Sequence, residues 1–82
     1  MRLAFKVWND QLAELEVHVE PWCYPYFVPH GSTLTFHYDV DAASDAIGEV
    51  EVRRGDWLAV WFESEGPPTA QLDGQPVEPM WR

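Results

Sequence analysis

The sequence is poor in cysteine, in basic side chains and in long apolar runs. Its one cysteine, Cys23, excludes an intrachain disulfide framework, so the fold must be held by packing. Five Lys and Arg against fourteen Asp and Glu leave a formal charge of −9. Direct nucleic-acid binding relies on bases that neutralise phosphates, and docking on anionic membranes needs them too, so neither partner is expected. No apolar run approaches the ~18 residues of a membrane-spanning helix. The apolar start Leu3-Ala4-Phe5 stops at Lys6, so no secretory leader is expected and a cytoplasmic protein is the simplest expectation. There is no Gly-rich phosphate cradle, no nucleophile elbow and no zinc-peptidase motif.

What is present is apolar and aromatic. Hydrophobic residues make up 46% of the 82 positions and aromatics 15%, enough for a core and too much for a disordered chain. The length suits one domain spanning 1–82, because two would each be too small to bury enough surface. Five tryptophans exceed what a small core needs, which points to an interface or ligand face.

The dominant period is two. RLAFKVW sets Leu3, Phe5 and Val7 against Arg2, Ala4, Lys6 and Trp8. LAELEVHVE sets Leu15, Val17 and Val19 against Glu14, Glu16, His18 and Glu20, and STLTFHYDV alternates Leu34, Phe36, Tyr38 and Val40 with polar residues. EVEVR continues the pattern, with Val50 and Val52 expected inward. In WLAVWF both faces are apolar, so this strand is expected to be central and covered on both sides. Asp73-Gly74 has the composition of a two-residue hairpin turn, and Pro76 and Pro79 confine the last strand to an edge. No stretch holds a helical period. The expectation is an all-β fold: a small antiparallel β-sandwich, or a partly open barrel, of six to seven short strands.

EPWCYPYFVPHGS, residues 20–32, reads as a stiff aromatic loop between two strands. Cys23 and His30 within it, with His18 and His37 on either side, have the chemistry of metal ligands. A hairpin pairing of the strands around Val17 and Phe36 would place His37 opposite Glu16 and diagonal to His18. Zinc or copper spacing is nevertheless missing, and a buried thiol with surface histidines is the preferred reading. DVDAASDAIGE gathers Asp39, Asp41, Asp45 and Glu49, but Ala43 and Ser44 stand where an EF-hand needs a ligand and a glycine. A solvated turn is preferred there. No metal and no cofactor is therefore expected.

Catalysis is not expected either. A thiolate at Cys23 needs an electropositive pocket in a chain that is acidic throughout, and so small a sandwich offers little depth for a substrate. The favoured reading is a non-catalytic acidic protein-binding domain, of the kind inhibitors and immunity proteins represent, docking on a basic protein partner. Trp22, Tyr24, Tyr26, Phe27, Trp57 and Trp61 would anchor the contact, and Glu14, Glu16, Glu20, Asp39, Glu49 and Glu51 would supply the field. Two other readings stand beside it. Trp57 and Trp61, ~13 Å apart on one strand face, suit stacking on a carbohydrate or another small ligand. The chain also fits a structural subunit of an assembly.

Overall fold

The computed structural model describes residues 1–41 and 47–82, with the backbone alone at Ile47. The two-residue alternation becomes strands: β1 (Arg2–Trp8), β2 (Glu14–Glu20), β3 (Tyr24–Pro29), β4 (Thr33–Asp39), β5 (Ile47–Arg53), β6 (Trp57–Phe62), β7 (Thr69–Leu72) and β8 (Gln75–Val77). They form two four-stranded sheets, ordered β1-β4-β7-β8 and β3-β2-β6-β5. The molecule is a small all-β sandwich. Its pairs are antiparallel except β2–β6, which run parallel; between them the chain forms the two edge strands β3 and β5 of this sheet and crosses once to the other sheet at β4.

The apolar stripes of the two sheets face each other. Val17, Val19, Val28, Leu34, Phe36 and Val60 are almost wholly buried between them. At the centre Phe36 meets Tyr26 and Phe62 edge-on, each at 5.4 Å between ring centroids. Tyr38 meets Phe62 at 5.0 Å in the same geometry. Edge-to-face packing sets the positive rim of one ring against the negative face of the next. Burial pushes the Tyr26 phenol up to about 12, with smaller contributions from Glu78 and Tyr24.

Three expectations change. The segment 20–32 is not a loop: it turns at 21–23 and again at 30–31, and between those turns Tyr24–Pro29 is a further strand paired with β2. Prolines are tolerated there because β3 is an edge strand, with one side of its backbone free of ladder bonds. In consequence β2 does not pair with β4, which lies in the other sheet between β1 and β7. Val50 and Val52 also differ from expectation. They stand in register with Val60 and Leu58 on the core side of their sheet, yet are 45% and 71% exposed. As an edge strand, β5 overhangs the opposing sheet.

The turns follow their composition. Asp73 and Gly74 both take positive φ, 50° and 84°, as a two-residue hairpin of this kind requires. The Asp73 carboxylate accepts from the Thr33 amide at 2.9 Å, tying that turn to the start of β4. A second tie is Asn9, the one polar residue buried among those described. Its Nδ2 donates to the Leu12 and Val28 carbonyls, at 3.0 and 2.8 Å, while its Oδ1 accepts from the Leu12 amide at 3.0 Å.

Candidate functional site

Register places the residues of the outer face of the β3-β2-β6-β5 sheet in rows. Phe27, Glu16, Trp57 and Arg53 form one row; Pro25, His18, Ala59 and Glu51 form the next. Glu20, Trp61 and Glu49 form a third. Residues in a row share a face because directly opposed side chains in a sheet project to the same side. With Glu14, which alternation puts on the same side of β2, five carboxylates of β2 and β5 therefore share a face with two tryptophans of β6.

The rows are cross-linked by polar and aromatic contacts. The Trp61 indole N–H donates to Glu51 Oε1 at 2.6 Å, and Arg53 reaches the same oxygen at 3.1 Å. These two donors hold the Glu51 carboxyl below the usual carboxylate range. The Arg53 guanidinium also lies over the Trp57 ring, 4.9 Å from its centroid. On the other side of Trp57 the His18 ring stands 4.3 Å away, and His18 Nε2 bonds the Glu16 carboxylate. Trp57 is thus held in one orientation by a histidine and an arginine. Ala59 between the tryptophans is wholly covered by its large neighbours. Among the described residues no third layer of strands covers this face, so Trp57 and Trp61 stay half-buried. That corrects the expectation that both faces of β6 lie under other elements.

At the β3 end the face is bordered by residues 80–82. The Met80 amide donates to the Pro25 carbonyl at 2.8 Å, and the Trp81 ring meets Tyr24 edge-on at 5.8 Å. Arg82 bonds Glu14 through both terminal nitrogens, at 2.6 and 2.9 Å, and its guanidinium lies 3.7 Å from the Phe27 ring centroid. Hydrogen bonding to Arg82 lowers the Glu14 pKa. Beside this pair, Glu16, His18 and Trp81 help line an open groove of about 310 Å³.

The face gathers most of the anticipated partner-binding residues: Glu14, Glu16, Glu20, Phe27, Glu49, Glu51, Trp57 and Trp61. It leaves out four. Tyr26 lies in the core, where its alternation with Phe27 puts it. Tyr24 is on the core side with Val19, and Trp22 packs against the core from the β2–β3 turn. Asp39 belongs to the other sheet, 3.7 Å from Arg2. Sequence reading put His18 on the polar side of its strand but did not count it, Arg53 or Arg82 among the partner-binding residues. The alternation of β5 and β2 carried the signal for Arg53 and His18, whereas Arg82 is brought there only by the path of residues 78–82.

The four candidate metal ligands are dispersed. His18 is on this face, Cys23 in the β2–β3 turn and His30 in the turn before β4, with its Nε2 3.2 Å from the Asp10 carbonyl. His37 is on the outer side of the other sheet, opposite Ala4. The grouping of His18, Glu16 and His37 that a β2–β4 hairpin would have made is not formed, and only the His18–Glu16 contact exists. Among the described residues no three His, Cys, Asp or Glu side chains come together to hold an ion. Asp45 lies outside the described residues. The Cys23 thiol is exposed, and a hydrogen bond to Glu20, with that group's negative charge, raises its pKa. Compared with protein-family models, with curated proteins and with solved structures, the chain finds no match in any of the three.

Proposed function

We propose that the outer face of the β3-β2-β6-β5 sheet docks on a basic protein, the domain acting as a non-catalytic binding or inhibitory module. The observation that supports this most is the placement of Glu14, Glu16, Glu20, Glu49 and Glu51 around Trp57 and Trp61 on one open face. Half-buried tryptophans supply large, rigid contact area at small entropic cost, and the carboxylates steer a cationic surface toward them. The internal clamps on Trp57 and Trp61 preorganise the anchors, which lowers the cost of association further. The net charge of −9 acts in the same direction at longer range.

The test is capture from the source cell with the wild-type chain, with Trp57→Ala and with Glu16→Lys/Glu20→Lys. The expected result is a basic protein held by the wild type, lost by both variants and released as salt shortens the Debye length below about 8 Å. Retention of no basic protein, or equal retention by all three chains, overturns the reading. A second reading rests on the ~13 Å spacing of Trp57 and Trp61 on the same open face, which suits alternate sugars of a glycan. It requires tryptophan fluorescence to respond to soluble glycans, and the response to vanish in a folded Trp57→Ala variant.

A further inference from the structure

We infer that the partner of this face presents an arginine, and that residues 80–82 hold that arginine's place in the free protein. The inference rests on the protein-binding reading above and names the chemistry of its partner. Its ground is the way Arg82 is held. A carboxylate takes both terminal nitrogens of the guanidinium at 2.6 and 2.9 Å, and the Phe27 ring lies beneath at 3.7 Å. A planar fork on a carboxylate and a flat cation on an aromatic face are interactions a guanidinium makes and an ammonium cannot match. Glu14 and Phe27 come from facing strands, with Glu16 directly opposite Phe27. The cage is therefore built by the sheet register and not by the segment it holds.

The segment also shows how a partner would approach. Residues 80–82 lie against the free edge of β3, where the Pro25 carbonyl has the Met80 amide as its donor. Addition of an extended segment to an open sheet edge is a common mode of peptide recognition, with main-chain bonds giving affinity and side-chain sites giving selectivity. Met80 and Trp81 remain mostly exposed, so little apolar burial holds the segment in place. Exposed ion pairs add little net stability, which makes the segment displaceable. When it leaves, Glu14 loses its cation and stands beside Glu16 at the groove, strengthening the field that a partner's arginine meets. A tethered segment acts as a competitor at high effective concentration, so it lowers the apparent affinity of the face by the fraction of time it occupies the cage.

The experiment follows amide shifts by NMR as the blocked tripeptide acetyl-Met-Trp-Arg-amide is added to the full chain, to Arg82→Ala and to Arg82→Gln. The lysine and glutamine versions of the tripeptide serve as controls. The expected result is binding by both Arg82 variants about tenfold tighter than by the wild type, corresponding to a cage occupied about nine-tenths of the time. The shifts should centre on Glu14 and Phe27, and the arginine tripeptide should bind at least about tenfold better than its lysine and glutamine versions. Glu14→Gln in the Arg82→Ala chain should abolish that preference while leaving the spectrum dispersed. Equal binding by wild type and variants, equal binding of the three tripeptides, or no binding at about 1 mM overturns the inference. Capture of a basic protein whose arginines are dispensable would overturn it while leaving the protein-binding reading intact. Failure to capture any basic protein would remove that reading without touching the tripeptide result.

Discussion

Replacing Asn9 by alanine removes three hydrogen bonds from a side chain that is only 3% exposed. Nδ2 spans the Leu12 and Val28 carbonyls, while Oδ1 holds the Leu12 amide, so one side chain ties the β1–β2 connection to β3. The Asn9 backbone extends the stitch, donating to the Ser32 carbonyl at 3.1 Å and accepting from Gly31 at 2.6 Å. With a net contribution near 1 kcal/mol per bond, and the buried Val28 carbonyl left without this donor, the loss should be about 2–4 kcal/mol. A chain of this length has roughly 4–12 kcal/mol in all. Urea unfolding followed by tryptophan fluorescence should show a lower midpoint at unchanged slope, and each kcal/mol lost should lower Tm by about 4–8 °C. Asn9→Asp separates polarity from shape, because it keeps the acceptor and turns a second oxygen toward two carbonyls. That repulsion raises the new carboxyl's pKa in the folded state. Stability should then be best below the ordinary Asp range and fall as pH rises through the raised value. A cost under about 1 kcal/mol for Asn9→Ala, or an Asn9→Asp chain as stable as wild type at pH 7, would refute the stitch.

Phe36→Ala should cost about 3–5 kcal/mol in the same unfolding assay, because it empties the centre of the aromatic cluster joining Tyr26, Phe36 and Phe62. A loss below about 1.5 kcal/mol would mean that the two sheets do not close on Phe36. Val52→Lys, by contrast, should change stability by no more than about 0.5 kcal/mol, since Val52 is 71% exposed on the overhanging edge; a core-sized loss would show that β5 is covered. The Tyr26 phenol is raised to about 12 by burial, so its contribution is fully present below pH 10. It should be lost as pH climbs from 10 through about 12, because the unfolded chain ionises first. Tyr26→Phe should flatten that alkaline limb in pH-dependent melts, and an unchanged limb would place the titration elsewhere.

What the sequence determined by itself is which side of each strand is apolar. A side chain's face follows from a period of two, which is local and needs no partner, so Leu15, Val17, Val19, Leu34, Phe36 and Tyr38 were legible as core. The turn at Asp73-Gly74 was legible for the same reason: its positive φ values are a property of the two residues themselves. The same local rule placed Glu14, Glu16 and Glu20 on one side of β2, and Trp57 with Trp61 on one side of β6.

The tertiary structure alone decided which strands are neighbours, because pairing is contact between segments far apart in the chain. β2 found β3 and β6 instead of β4, which moved His37 to the opposite sheet and undid its grouping with His18. The prolines of YPYFVP concealed a strand because their cost depends on whether the strand is an edge, a fact no local pattern contains. Burial of Val50 and Val52 failed for a related reason: the pattern states which way a side chain points and not whether the other sheet reaches over it. The gathering of Phe27, Glu14 and Arg82 into one cage depended on a β2–β3 register and on the route of residues 78–82 past that edge, and both are consequences of the folded whole.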